Sequence, residues 1–459
     1  MQVEQHSLSF VPESERHGKA RDLFNVWFSA NMDMLVIVTG ALAIGYGLNV
    51  VWSLIAVVIG NAIGGIFMAS HSAQGPKLGI PQMVQSRAQF GVIGAVLPLI
   101  LVIGMYLGAF FSCGSLGAQA VHSAIPQISV TTALIVLGAI TLVITVYGYD
   151  LIHLVERYLT IVFLVVFLIA TVALFHLHLP VGEWALSNFH LAPFVVMVSI
   201  AATYQMTYAP YVADYSRYLP KNTSSAATFW YSYLGNVISC IWMMIMGVVL
   251  AAAFPKFGND STGYVAHILG PHFAPVMYIV LVLGIIAIQV LNLYGAFMST
   301  ITTLEAFTKI TGSRKTRFWL VFVISVVGTY LAISGQTGFT TIYSDFMLLL
   351  QYFLLPWSAI NLIDFYLLRH GDYDVEAMFD VNGKYGRFNW ISISAYIITI
   401  ILQIPFMNTS LYEGPVARAL NGDDIAWVFA LALPMIFYYI PMRRKAAASS
   451  ALSIDSNAV

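Results

Sequence analysis

The chain has 459 residues, 59% of them hydrophobic and only 9% charged, with a net charge of −1 and two cysteines. Soluble domains carry roughly 25% charged residues, so this composition excludes a soluble chain of such length. A net charge of −1 gives no reason to expect nucleic acid, and Cys113 and Cys240, both inside apolar segments, imply no disulfide framework.

The first 24 residues are polar and include Pro12, Glu13, Glu15 and Arg16, with no apolar core and no small-residue cleavage site, so a cleavable signal peptide is not expected. Apolar stretches then fall at 25–48, 51–70, 92–121, 131–148, 157–177, 192–213, 228–254, 273–303, 318–334, 339–368, 390–406 and 425–441. Each matches the roughly 20 helical residues that cross about 30 Å of hydrocarbon. Backbone groups in lipid must bond within their own segment, so all twelve are expected to be helices. The third, eighth and tenth are longer than a bilayer requires and are expected to tilt or break, the eighth above all. The connections at 369–389 and 407–424 are too short for a soluble domain, and the Ala- and Ser-rich tail after Lys445 is expected to be disordered.

With the amino terminus on the cytoplasmic side, 18 of the 20 Lys and Arg residues fall inside: Arg16, Lys19, Arg21, Lys77, Arg87, Arg157, Arg217, Lys221, Lys309, Arg314, Lys315, Arg317, Arg369, Lys384, Arg387, Arg443, Arg444 and Lys445. Lys256 and Arg418 alone fall outside. Basic residues resist translocation, so this partition predicts a multi-pass protein of a bacterial inner membrane or equivalent plasma membrane, with both termini cytoplasmic.

Helices one and six stand out, because polar and small residues interrupt them near mid-depth: Phe28, Ser29, Ala30, Asn31, Met32 and Asp33 in one, Thr203 to Pro210 in the other. Broken helices five segments apart are the mark of an inverted-repeat transporter with its substrate at the midplane. A polar patch that merely bonds a neighbouring helix is the competing account. The pattern predicts an all-α protein of twelve transmembrane helices: a cytoplasmic segment at 1–24, a 5+5 inverted-repeat core at 25–368, two additional helices at 369–441 and a cytoplasmic tail at 442–459.

The order of motifs resembles the nucleobase cation symporter family of purine and cytosine permeases. The matching runs are Pro12-Glu13-Ser14-Glu15-Arg16-His17-Gly18, Trp27-Phe28-Ser29-Ala30-Asn31, Gly60-Asn61, Ser86-Arg87-Ala88-Gln89-Phe90-Gly91, Ala213-Asp214-Tyr215-Ser216-Arg217-Tyr218, Asn292-Leu293-Tyr294, and Pro356 followed by Asp364-Phe365-Tyr366. The resemblance implies a LeuT-like core that holds a flat heterocycle between aromatic rings, reads its edge with side-chain amides and couples its uptake to a cation.

On helix three the resemblance places Tyr106 at the polar position and Ala109 where the family usually has Trp. Either Phe110 is then the stacking ring or the pocket is wider on that side. On helix six the second stacking position falls at Tyr204 or Gln205. Tyr204 is assigned to stacking and Gln205 to amide recognition, with Tyr208 as a further candidate. Asn31 and Asn292 complete the substrate set. Asn292 also opens the stretch that binds the cation in sodium-coupled members, yet Gly295 and Ala296 offer no hydroxyl ligands. A sodium site would then depend on backbone near Gly295 and on carbonyls of helix one, around Phe24 and Phe28. This favours H+ over Na+, with Asp33 as the carrier, since a carboxylate at bilayer depth costs roughly 3 kcal/mol and usually serves function or is paired. Capping the second half of the broken helix is the other account of Asp33. Asp345 and Asp364, at opposite ends of helix ten, are expected to be structural.

The partners expected are a small heterocyclic substrate and the lipid bilayer, with no cofactor. A membrane enzyme is disfavoured because no metal-ligand cluster such as His-Glu-x-x-His occurs, and a channel because no filter sequence repeats. An amino-acid transporter of the same architecture would need Gly-rich unwinding of helix one, and Phe28 to Asp33 contains no Gly.

Overall fold

Long apolar runs in lipid leave the backbone no alternative to helix. The computed structural model describes residues 10–147, 149–308 and 314–447, and among these the sole β feature is an isolated antiparallel bridge between Asn408 and Glu413. The helices are, in order, α1 (Asp22–Ala30), α2 (Met34–Gly45), α3 (Val50–Ser72), α4 (Gly75–Leu78), α5 (Gln82–Phe90), α6 (Val96–Ala124), α7 (Val130–Tyr147), α8 (Tyr149–Leu174), α9 (Leu191–Met206), α10 (Val212–Ser216), α11 (Ser225–Ala253), α12 (Ser261–His267), α13 (Ala274–Glu305), α14 (Arg314–Ser334), α15 (Phe339–Leu362), α16 (Trp390–Gln403), α17 (Pro415–Ala419) and α18 (Ala426–Pro434). Among the described residues seven helices are long and apolar enough to cross a membrane, eight if the bent pair α1 and α2 is one span, and shorter apolar helices occupy Val130–Val146, Ile161–Leu174, Leu191–Met206 and Trp390–Phe406. Lys309 and the tail from residue 448 onward lie outside the described residues, as do the side chains of Arg157 and Arg314.

Both interruptions expected from the sequence are present. α1 and α2 meet at 61° across Asn31, Met32 and Asp33. Asp33 is extended (φ −138°, ψ 166°), and its carboxylate accepts from the backbone N–H groups of Leu35 at 2.6 Å and Val36 at 3.2 Å. It therefore restarts the helix as an N-cap. The sixth segment stops at Met206, turns through Thr207 to Tyr211, and resumes as α10. Pro210 lies in that turn and has no N–H to donate to a helical ladder.

The expected interruption of the eighth segment is corrected by the structure: α13 runs unbroken for 32 residues. The third segment is likewise one helix of 29 residues, α6. Gly284 and Gly295 in α13 are seats for neighbouring rings rather than breaks. A Cβ at Gly284 would lie 2.8 Å from the Phe163 ring, and one at Gly295 would lie 2.5 Å from the Tyr106 ring. The tenth segment does deviate: α15 contains Pro356 and passes into a π-helical stretch at Ile363–Leu368.

Packing divides the spans into two bodies. One gathers α1, α2, α3, α9 and α11; the other gathers α6, α7, α13 and α14, while α15 touches both. The first is locked by glycines. A Cβ at Gly40 would fall 2.0 Å from the Met244 carbonyl oxygen, one at Gly247 1.8 Å from that of Ile37, and one at Gly64 2.3 Å from that of Ala202. Small residues let helix backbones approach this closely where lipid supplies no hydrophobic drive.

The two long connections are stapled to α15. Asp424 accepts from the Tyr352 hydroxyl, from Asn408 N–H at 2.9 Å and from Ala426 N–H at 2.9 Å. Burial pushes this carboxyl above its usual range, and the three donors pull it back. At the other end Asp364, fully buried, meets the Arg369 guanidinium at 2.9 Å and the hydroxyls of Tyr373 and Tyr438 at 2.7 Å each. This is the structural pairing expected for it.

Candidate functional site

The two helix breaks are built against each other. The side chain of Asn31, fully buried, donates to the Trp27 carbonyl at 3.0 Å, to Asn236 Oδ1 and to Ser239 Oγ at 3.0 Å, while its Oδ1 accepts from the Tyr208 hydroxyl at 2.6 Å. Gln205 donates to Asn61 Oδ1 at 2.8 Å and accepts from the Asn236 amide. One chain of amides thus joins the α1 break, α11, α3 and the end of α9. Buried polar groups of this kind specify a single arrangement when satisfied.

Rings continue the chain. Tyr204 and Tyr208 meet edge to face at 5.9 Å, Tyr208 and Tyr211 at 5.8 Å, and Tyr211 lies 5.7 Å from Tyr106 of the second body. Trp27 packs on Tyr208 at 5.5 Å, on Tyr211 at 6.3 Å and on Tyr215 at 5.2 Å, lying below the break like a plug. Tyr106 in turn faces Gly295. Asp33, within electrostatic reach of Tyr204, Tyr208 and Tyr211, is buried, and backbone N–H groups are its hydrogen-bond donors.

Of the residues singled out from the sequence, Asn31, Asp33, Tyr106, Tyr204, Gln205, Tyr208 and Gly295 therefore share one neighbourhood. Asn292 is half-buried on α13 and its amide makes no hydrogen bond to a described residue. Phe110 is turned elsewhere. It packs where a Cβ at Gly328 of α14 would lie 2.5 Å from its ring, and its carbonyl accepts from Gln289 at 3.2 Å. Phe24 stacks on Phe28 at 5.5 Å, and Phe28 on Trp242 of α11 at 6.1 Å. Phe24 stands about two helical turns before the break, at 3.6 residues per turn. Gln205 has its oxygen and one amide hydrogen committed to Asn236 and Asn61, so it braces the break.

Sequence reasoning did not assign Tyr211, Trp27, Asn61, Asn236 or Ser239 to the site. The signal for Asn61 and Asn236 was present: an amide in the middle of an apolar span is costly unless bonded. Among the described residues no group of three or more His, Cys, Asp or Glu could hold a metal ion.

A cavity of about 370 Å³ lies by the C-terminal end of α2 and the N-terminal end of α15 and is lined in part by Tyr46, Thr340, Ser344, Asp345 and Asn408. The Thr39 and Tyr343 hydroxyls, 2.7 Å apart, join α2 to α15 at a point on α2 between Leu42 of the cavity lining and Asp33.

The contact between Tyr106 and Gly295 is directly testable. Gly295→Ala puts a methyl group 2.5 Å from the ring, and a ring tip moves more easily than backbone. We expect substrate affinity to fall about tenfold, as for one displaced aromatic contact worth about 1.5 kcal/mol, with little change in thermal stability. Unchanged binding, with Tyr106 shown to be displaced, would remove Tyr106 from the site.

Comparison with known proteins shows what the whole chain is similar to. The family model described as a permease for cytosine/purines, uracil, thiamine and allantoin matches residues 10–429. The chain is 49% identical to the provisionally named purine-cytosine permease YxlA of Bacillus subtilis over 96% of both chains. It is 27% identical to the purine-cytosine permease fcyB of Emericella nidulans over 95% of this chain and 88% of that one. Among solved structures, Mhp1, described as a nucleobase-cation-symport-1 family transporter, matches in its closed conformation with bromovinylhydantoin bound, at TM-score 0.77 and 18% identity over 97% and 96% of the two chains. The inward-facing conformation of Mhp1 matches at 0.75, with 17% identity over 98% and 96%. These two matches establish a shared all-helical fold.

Proposed function

The chain belongs to the family of permeases for cytosine/purines, uracil, thiamine and allantoin, and from that premise we propose that it imports a purine or pyrimidine nucleobase, or a related heterocycle, by alternating access coupled to a cation, H+. It is a membrane permease and not an enzyme. The observation that carries the reading is the pair of helix breaks facing each other, tied by the hydrogen bond from Tyr208 to Asn31 and lined by tyrosine rings. Broken helices expose backbone and polar side chains at bilayer depth only where they line a site.

We read the long spans, the bent pair and the four shorter apolar helices as twelve crossings. Residues 25–368 then form the LeuT-like 5+5 core, 369–441 add two helices, and both termini lie on the basic, cytoplasmic side. Alternating access is motion of the body holding α1, α2, α3, α9 and α11 against the one holding α6, α7, α13 and α14. The base stacks among Tyr106, Tyr204 and Tyr208, the uncommitted amide of Asn292 reads its edge, and Gln205 and Asn31 hold the breaks in place. The site must open for this, because Trp27, Tyr208 and Tyr211 close it in the conformation described. Asp33 takes up the proton. No Lys, Arg or His among the described residues is ion-paired with it, and its cap bonds need only one oxygen.

The test is uptake of labelled cytosine, adenine, hypoxanthine, uracil, allantoin and hydroxymethylpyrimidine by cells producing the chain, with and without sodium and with a protonophore. Saturable accumulation of a base, collapsed by the protonophore and indifferent to sodium, is the expected result. Sodium dependence that survives the protonophore would move the coupling to Na+. No accumulation of any of them, with the protein shown to be in the membrane, would remove the nucleobase reading.

A further inference from the structure

We propose that the outer cavity is a second binding site for the transported base, in which Asp345 selects heterocycles bearing an exocyclic amino group. The inference rests on the permease reading above and adds a site that the central one does not include.

The cavity, about 370 Å³, has room for a flat six- or nine-membered ring system with water to spare. Its floor is apolar, from Leu42, Val196 and Leu348, and its wall carries Tyr46, whose ring is partly exposed and whose hydroxyl is held by Ser344. Thr341 and Ser410 at the rim are exposed, so a solute reaches the cavity without passing the central site. From Leu42 to Asp33 is nine residues along α2, roughly 13 Å at 1.5 Å per residue. The bond between Thr39 and Tyr343 crosses the gap between them. A base here therefore lies beyond this bond from Asp33, in line with the helix that leads to the break.

The chemistry is directional. Both oxygens of Asp345 are anchored by Ser410, one by its N–H at 2.9 Å and the other by its hydroxyl, which fixes the carboxylate plane toward the loop and leaves further lone pairs on each oxygen. The hydroxyls of Thr340 and Thr341 make no hydrogen bond to described residues and can donate to a ring nitrogen or carbonyl. An acceptor-only carboxylate beside hydroxyl donors fits the amino group and neighbouring acceptor of cytosine or adenine. In that same pose the carbonyl oxygen that replaces the amino group in uracil or hypoxanthine faces the negative charge, and the base must shift to bring its ring N–H to the carboxylate instead. The discrimination is of the kind that follows when a polar partner is present or missing.

Equilibrium binding of labelled cytosine and adenine to the purified full chain in nanodiscs tests this. The wild type is expected to show two classes of sites, and Asp345→Asn to weaken the outer class about tenfold or more, as for the loss of one hydrogen bond to a charged group. Ser410→Ala removes a tether of the loop but keeps the carboxylate, and is expected to retain both classes. One class of sites in the wild type, unaffected by Asp345→Asn, overturns the outer site while leaving the permease reading intact. Equal loss in Asp345→Asn and Ser410→Ala assigns the effect to the loop and overturns it as well. No saturable binding of any base to the wild type would overturn both readings.

Discussion

Asp33→Asn is expected to abolish concentrative uptake while leaving a folded protein that still binds substrate. The carboxylate is buried at the restart of α2, and its donors are the backbone N–H groups of Leu35 and Val36. Both bonds go to Oδ1, an oxygen that asparagine also has, so the cap and the 61° bend are kept. What asparagine lacks is the ability to take and release a proton. A charged carboxylate in the membrane costs roughly 2.5 to 3.5 kcal/mol on insertion scales, so the protonated and ionised carriers differ enough in energy to bias which way the two bodies sit. Without that difference the variant can only equilibrate the base, and the ratio of internal to external substrate should fall to about one, since no coupled free energy remains to hold a gradient. Steady-state accumulation and counterflow exchange should be measured together. Loss of accumulation with retained exchange is expected; accumulation that persists and still collapses with a protonophore would mean that Asp33 only caps α2.

How far the sequence reached differs between fold and site. The seven long spans and the bent first pair were legible because hydropathy and helix length are fixed by the bilayer, and the breaks at Asn31 to Asp33 and Thr207 to Tyr211 were legible because polar residues interrupt apolar runs there. The continuity of α13 was not. Excess length read as a weak point, whereas the helix is continuous and its Gly284 and Gly295 accommodate Phe163 and Tyr106 from other helices. Length alone does not tell a helix that breaks from one that runs on past the hydrocarbon. A different limit applied to Phe110, whose direction around α6 depends on Gly328 of α14. Gln205 was chosen because the resemblance puts the second stacking position at Tyr204 or Gln205 and an amide suits the edge of a base. That Asn61 and Asn236 engage its amide is a property of three helices together, and only Gly60-Asn61 had been noticed as a motif at all.

Gly247→Ala is expected to be among the most damaging single substitutions in the chain, although intrinsic propensity argues the reverse. In a helix interior alanine is favoured over glycine by about 1 kcal/mol. A Cβ at Gly247 would sit 1.8 Å from the Ile37 carbonyl oxygen, and backbone cannot swing aside as a side chain can. α2 and α11 would have to separate; the same interface includes Gly40, where a Cβ would meet the Met244 carbonyl at 2.0 Å, and the adjoining contact of α11 with α1 includes Gly235, where one would meet the Phe24 carbonyl at 2.5 Å. Further along lie the bonds from Asn31 to Asn236 and Ser239, so the separation would reach the α1 break itself. Overpacking one site costs about 1 to 3 kcal/mol before such coupled losses are added. Gly104, inside α6 with nothing within 4 Å of its Cβ position, is the matched control: there the propensity term acts alone and Gly104→Ala should be neutral or mildly stabilising. Monodispersity and thermal stability of the two detergent-purified variants decide the matter by sign. If Gly247→Ala proves as stable as Gly104→Ala, the close approach of α2 and α11 is not what holds the first body together.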